Sequence, residues 1–188
     1  MNTSTAVIIR ETALKHFAIK GFDATCPVEI AKEIGITCSM IRTYFTSKEE
    51  IYLAVTDFLG TYYTSFIEEL ITRTKGLALR DRIYEILMEV ARQARNDRLP
   101  CLLWIQIIYF PPVTLKQEIL HRMERTSEGI SQKLSLLFTE GKTPERQEGV
   151  FLGSALYVVI KGMKTKVNNT EEEDKRQALF FSGVFSTQ

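Results

Sequence analysis

Five neighbouring side chains, Cys38, Ser39, Met40, Arg42 and Thr43, sit in the segment "CSMIRTYF" around one aliphatic residue, Ile41. If the segment is a helix anchored through Ile41, the five lie largely off its buried face. A guanidinium there can grip a phosphate or a guanine edge, and the hydroxyls and the thioether can meet base edges and sugar. This is the chemistry of binding. Nothing in the stretch pairs a nucleophile with a base.

Positioning such a segment requires a helix before it, a tight turn and a shared core. In a helix-turn-helix, the first helix needs a small residue where the second crosses it, the turn needs a residue tolerant of positive φ, and the second helix needs an aliphatic anchor. Ala31, Gly35 and Ile41 have those types at those places, with Ile30, Ile34 and Ile36 as surrounding core and Thr37 as the N-cap of the second helix. Upstream, Ile9, Ala13, Phe17 and Gly21 recur every four residues with Leu14 beside them, a helix over 5–20 closed by glycine. Downstream, Ser47 and Glu50 have capping-box spacing and open a long helix marked by Ile51, Val55, Phe58, Tyr62 and Phe66.

The rest of the chain reads as helix as well. "TRTKGLALRD" is a loop, "RIYEILMEVARQAR" a helix, and "LPCLLWIQIIYFPP" a helix bounded by prolines. Thr114 with Gln117 opens a segment to about Gly141, Thr143-Pro144 the next, and Thr170 with Glu173 the last. The fold class is all-α, about nine helices, with only "LYVVIK" as a competing strand. A small unit over 1–47 precedes a larger one over 48–188.

Composition narrows the function. Among 188 residues, 45% are hydrophobic, enough for a sizeable core, and the net charge of +1 points to no partner by itself. Cys26, Cys38 and Cys101 are too scattered for a disulfide framework, which fits a reducing, cytoplasmic setting. Neither His16 nor His121 has a metal-site neighbour pattern, so no metal is expected, and no cofactor. No G-x-S-x-G, P-loop or G-x-G-x-x-G occurs, and the chain is not expected to be an enzyme. The N-terminus lacks a signal-peptide pattern, and "CLLWIQIIYF" and "VFLGSALYVVI" are too short to cross a bilayer.

The ordered run Ile9, Ala13, Phe17, "KGFDAT", "EIAKEIGIT", "YFTSKEEI" resembles the tetracycline-repressor (TetR) family of transcriptional regulators over about the first quarter of the chain. The resemblance implies a DNA-reading unit followed by a helical ligand-binding and dimerisation unit. It implies that Thr25 caps the second helix, that Tyr44 contacts phosphate while Phe45 is core, and that Lys48 brings its ammonium to the DNA backbone. The family usually has a basic or polar residue at Cys38, Gly or Pro at Ser39, and a phosphate-touching Tyr at Arg42. Those departures leave the operator open. Charges from Met1 to Lys48 sum to only +2, so phosphate affinity must draw on Thr25, Thr37, Thr43, Tyr44 and helix N-termini.

For the larger unit, "CLLWIQIIYFPP" is apolar all round except Gln106 and should be buried. The resemblance implies that this helix walls a small-molecule inducer pocket, with Trp104, Gln106 and Tyr109 as polar-tipped lining. Gly149 and Gly153, followed by Leu156, and Leu179, Phe180 and Val184 in the last helix are expected to form a homodimer interface. The resemblance thus implies a homodimeric regulator, most simply a repressor released from palindromic double-stranded DNA by an inducer. The alternative is a helical protein–protein interaction module that does not bind DNA.

Overall fold

In the computed structural model, residues 3–138 are described. They form seven α-helices and a 3₁₀ turn: α1 (Thr3–Ala24), α2 (Pro27–Glu33), α3 (Cys38–Arg42), α4 (Lys48–Arg73), α5 (Leu79–Asn96), α6 (Arg98–Tyr109), the turn Val113–Leu115 and α7 (Lys116–Phe138). No strand occurs among the described residues, and the class is all-α. Seven helices stand where about nine were expected for the whole chain. The helix starts expected at Thr143 and Thr170 lie outside the described residues, as do Gly149, Gly153, Leu156, Leu179, Phe180 and Val184.

Helix α1 buries Ile9, Ala13 and Phe17, the predicted stripe. It breaks at Gly21, whose φ of 79° and ψ of 173° are open to glycine and costly for an L side chain, and a final turn runs on to Ala24. Ile9, Ala13 and Phe17 share one core cluster with Ile30, Ala31 and Ile41 of α2 and α3, Ile51, Val55 and Leu59 of α4, and Leu103 and Ile107 of α6. The expected division after residue 47 falls inside this cluster. Phe17 and Phe22 close edge-on around the Tyr52 ring at 4.9 and 5.1 Å. Burial there pushes the Tyr52 phenol up to about 12. A second cluster joins Leu70 and Ile71 of α4 to Ile83, Ile86, Leu87 and Ala91 of α5. Helix α4 therefore belongs to both cores, and its 26 residues span about 39 Å at 1.5 Å per residue.

Ser47 caps α4 as its spacing predicts, accepting from the Glu50 amide at 3.1 Å. The return arm differs from a standard capping box: the Glu50 carboxylate reaches one residue further back, accepting from the Thr46 amide at 2.6 Å and its hydroxyl at 2.7 Å. Those bonds hold the Glu50 carboxyl below its ordinary range, the Thr46 hydroxyl being the larger cause and its amide the next.

Helices α4 and α7 run parallel in a fixed register. Arg122 pairs with Asp57, and Lys133 donates to Glu68 at 2.6 Å, each pair 65 residues apart in sequence. Between these pairs, Gly60 lets Thr126 come close: a Cβ at residue 60 would stand 2.5 Å from the Thr126 hydroxyl. The outer side of the seam is an open polar groove of about 420 Å³ that includes Thr61, Ser65 and Arg125.

The expectation that α6 is buried all round is not met. Only Cys101, Leu103 and Ile107 are buried; Tyr109 is 48% exposed, and Phe110, just past the helix, 77%. The buried positions Cys101, Leu103 and Ile107 take only part of the helix circumference, and apolar composition alone does not say how much of it a twelve-residue helix will cover.

Candidate nucleic-acid interface

The candidate reading segment is α3, and at five residues it is far too short to be a stable helix alone. Two devices hold it. Thr37 is its N-cap, and its hydroxyl accepts from the Met40 amide at 3.2 Å, a bond of a kind worth about 1 kcal/mol. Ile41, 1% exposed, plugs α3 into the core beside Ile30 and Ala31. Between α2 and α3 the chain turns at Gly35 with φ of 73°, the conformation the turn position demands. The roles expected of Ala31, Gly35, Thr37 and Ile41 are therefore seen in the geometry.

Fixing Ile41 inward turns Ser39, Met40, Arg42 and Thr43 outward, and all four are exposed. Arg42 forms no ion pair with Glu49 or Glu50; the Glu50 carboxylate is taken by Thr46. Thr43 donates its hydroxyl to the Met40 carbonyl at 2.7 Å, leaving lone pairs as its free capacity. Cys38 is half-buried and leans on the core cluster, as do Tyr44 and Phe45.

Two of the nine expected contact residues are turned toward the protein. Thr25 is 2% exposed and does not cap α2, whose N-cap is Cys26; its hydroxyl donates back to the Gly21 carbonyl at 2.7 Å. The Gly21 carbonyl opens the final turn of α1, and the Thr25 hydroxyl adds a second bond to it. Lys48 donates its ammonium to the carbonyls of Phe22 at 2.9 Å and Asp23 at 3.3 Å, with the nitrogen 4.3 Å from the Phe22 ring centroid. A cation at the C-terminal end of a helix is favoured by the helix dipole as well.

The other cations of this unit are similarly occupied. Lys15 and His16 both reach Glu33, at 2.7 and 2.8 Å, and Lys20 reaches Glu29 at 2.8 Å, so that α1 is clasped to α2. The clasp holds the Glu33 carboxyl below its usual range, through Lys15 first and His16 second, and Glu29 likewise, through Lys20. Arg10 lies over the Phe58 ring at 4.2 Å. Among the described residues, Arg42 and Lys32 are the cations of this unit with no protein partner for their side chains. Lys32 stands three residues from Glu29, whose carboxylate is taken by Lys20, a division visible only in the folded chain.

Trp104, Gln106 and Tyr109 do not converge on one cavity. Trp104 stands 5.2 Å from the Tyr63 ring of α4, Gln106 donates to the Ala18 carbonyl of α1 at 3.1 Å, and Tyr109 faces solvent. No group of carboxylates, histidines and cysteines among the described residues could hold a metal ion, and no single helix there is long and apolar enough to cross a membrane. Burial pushes the Cys101 thiol up to about 11.

A capped five-residue helix displayed on a glycine turn, backed by α1 and mounted on a long helix that enters a second core, defines a helix-turn-helix protein with an appended helical unit. The sequence profile of "Bacterial regulatory proteins, tetR family" matches residues 9–55. An uncharacterized HTH-type transcriptional regulator of Bacillus subtilis (strain 168), YuxN, is 35% identical over 104 residues, which is 50% of this chain and 35% of that relative's length. In fold, the chain is similar to the fatty acid degradation regulator FadR from Bacillus halodurans, with a TM-score of 0.71, 14% identity and 96% of both chains covered. A TetR family transcription regulator from Marinobacter aquaeolei VT8 also has a TM-score of 0.71, at 16% identity over 95% of this chain and 93% of that one. Residues 9–55 thus match the tetR family of regulators, and the chain shares the fold of these solved regulators.

Proposed function

We propose that this protein is a sequence-specific, DNA-binding transcriptional regulator of the cytoplasm, and not an enzyme. It acts as a homodimer on a palindromic double-stranded operator, as a repressor released by a small-molecule inducer. Residues 1–47 are the reading unit and 48–188 the regulatory and dimerising unit. The observation that carries the reading is the outward set on α3: Ser39, Met40, Arg42 and Thr43 are exposed together while the nearby cations Lys15, Lys20 and Lys48 are tied up internally. Ser39, Met40 and Arg42 meet base edges, and Thr37, Cys38, Thr43, Tyr44 and the α3 N-terminus support the backbone contact. Release follows if the inducer favours a dimer whose two α3 helices are mis-spaced for successive major grooves.

The test is titration of the wild type and Arg42→Ala against a duplex selected from a random pool and a scrambled control, at several salt concentrations. A guanine contact predicts a loss of about 1–3 kcal/mol per half-site, confined to the selected duplex. A phosphate contact predicts a uniform loss and a salt slope lower by about one unit per subunit. Unchanged affinity and slope would show that α3 is not the reading helix.

A further inference from the structure

Three side chains from outside α1 end on the carbonyls around its break. Thr25 reaches the Gly21 carbonyl from four residues on, and Lys48 reaches the carbonyls of Phe22 and Asp23 from the head of α4. The third comes from far away: Gln106, on α6, donates to the Ala18 carbonyl at 3.1 Å across 88 residues of sequence. Ala18 is 1% exposed and lies in the last helical turn before Gly21, where carbonyls begin to lose their regular partners. The Gln106 carboxamide is thus seated on the end of the helix that carries the reading unit. α1 in turn holds α2 through the Lys15, His16 and Lys20 pairs and through the shared core with Ile30, Ala31 and Ile41.

Two residues away on the same helix is Trp104, the single tryptophan of the chain, packed 5.2 Å from the Tyr63 ring. Residues two apart on a helix lie about 200° round its axis, so α6 grips α1 with one side and α4 with the other. A rotation or slide of α6 cannot leave both contacts unchanged.

We propose that Gln106 is a positioning residue for DNA binding: its carboxamide fixes the attitude of α1, and with it α3, to α6, so that DNA held at α3 is felt at Trp104. The inference rests on the regulator reading above. Coupling between two sites is equal in both directions, so DNA itself can serve as the perturbation.

The experiment uses the full-length protein and a duplex that the wild type selects from a random-sequence pool, recording affinity and tryptophan emission in the same titration. Wild-type emission is expected to shift on saturation. Gln106→Leu, of similar bulk without a donor, is expected to bind within about tenfold of wild type, as befits one lost hydrogen bond, while its emission shift falls to a small fraction. Gln106→Lys, which keeps a donor, restores the shift; a purely packing role for the side chain would not produce that rescue. If Gln106→Leu fails to fold, Gln106→Glu keeps the shape, replaces donor by acceptor, and must lose the shift in the same way. A wild-type-sized shift in the variant that folds, or wild-type binding with no shift, overturns the proposal. Recovery of no duplex by the wild type overturns the regulator reading, and this inference with it.

Discussion

Replacing Lys48 by methionine separates two roles for a lysine at the head of α4. The side chain keeps its length and loses its charge. In the structure the ammonium makes two hydrogen bonds to carbonyls, at 2.9 and 3.3 Å, and a contact to the Phe22 ring at 4.3 Å. Hydrogen bonds to a charged group contribute about 1.5–3 kcal/mol each, and a half-exposed cation–ring contact about 0.5–1. The longer bond is weak, and water can replace part of what is lost at a half-buried site. A net loss of about 2 kcal/mol follows, equivalent to a fall in Tm of about 4–8 °C for a chain of this size. Thermal melts read that directly, and DNA titrations across a salt series read the other role. The expected result is a lower Tm and weaker binding with an unchanged log–log salt slope, because a loosened joint releases no counterions. An unchanged Tm with the slope smaller by about one unit per subunit would show that Lys48 is a phosphate ligand and refute the joint.

Three further outcomes are expected. Thr37→Ala removes the α3 cap and should cost about 1 kcal/mol in urea unfolding, with a larger relative loss of DNA affinity, since α3 has little else to hold it. Gly60→Val places a side chain against the Thr126 hydroxyl and should destabilise by about 1–3 kcal/mol through overpacking; a calorimetric Tm at or above that of wild type would mean the α4–α7 seam is looser than described. The Glu50 carboxyl is depressed in the fold, so its contribution is present above the ordinary carboxylate range and fades as pH falls through its lower folded value. Glu50→Gln should therefore lower Tm at pH 7 and shrink the Tm difference between neutral and acid pH; an identical pH profile in both proteins would contradict the assignment.

What the sequence alone carries is local. Gly21, Gly35, Thr37 and Ser47 were legible because each satisfies a backbone demand set within four residues, and Ile9, Ala13, Phe17 and Ile41 because a helical period leaves one face for the core. The misplacements involve partners distant in sequence or choices between near neighbours. Lys48 and Gln106 look free in one dimension and find carbonyls on α1 only when the chain has folded back. Thr25 and Cys26 are neighbouring choices for one cap, and the Thr25 hydroxyl is turned back to the Gly21 carbonyl while Cys26 takes the N-cap position. For α6, apolar composition set how much of the helix could be buried, but which faces meet a neighbour depends on where α1 and α4 lie.

The link between Gln106 and Ala18 also orders events in time. Within α1 to α3 the ion pairs span at most 18 residues, whereas the α4–α7 pairs span 65 and the Gln106 bond 88. Closing longer loops costs more entropy and slows folding, so contacts inside the first three helices form early and the α4–α7 seam and the α1–α6 bond form late. On the ribosome the interval is longer still, since at roughly 5–20 residues per second α6 emerges seconds after Lys48. The clasp of α1 to α2 can therefore close early, whereas the core that seats Ile41 of α3 is completed only when α6 brings Leu103 and Ile107 to it.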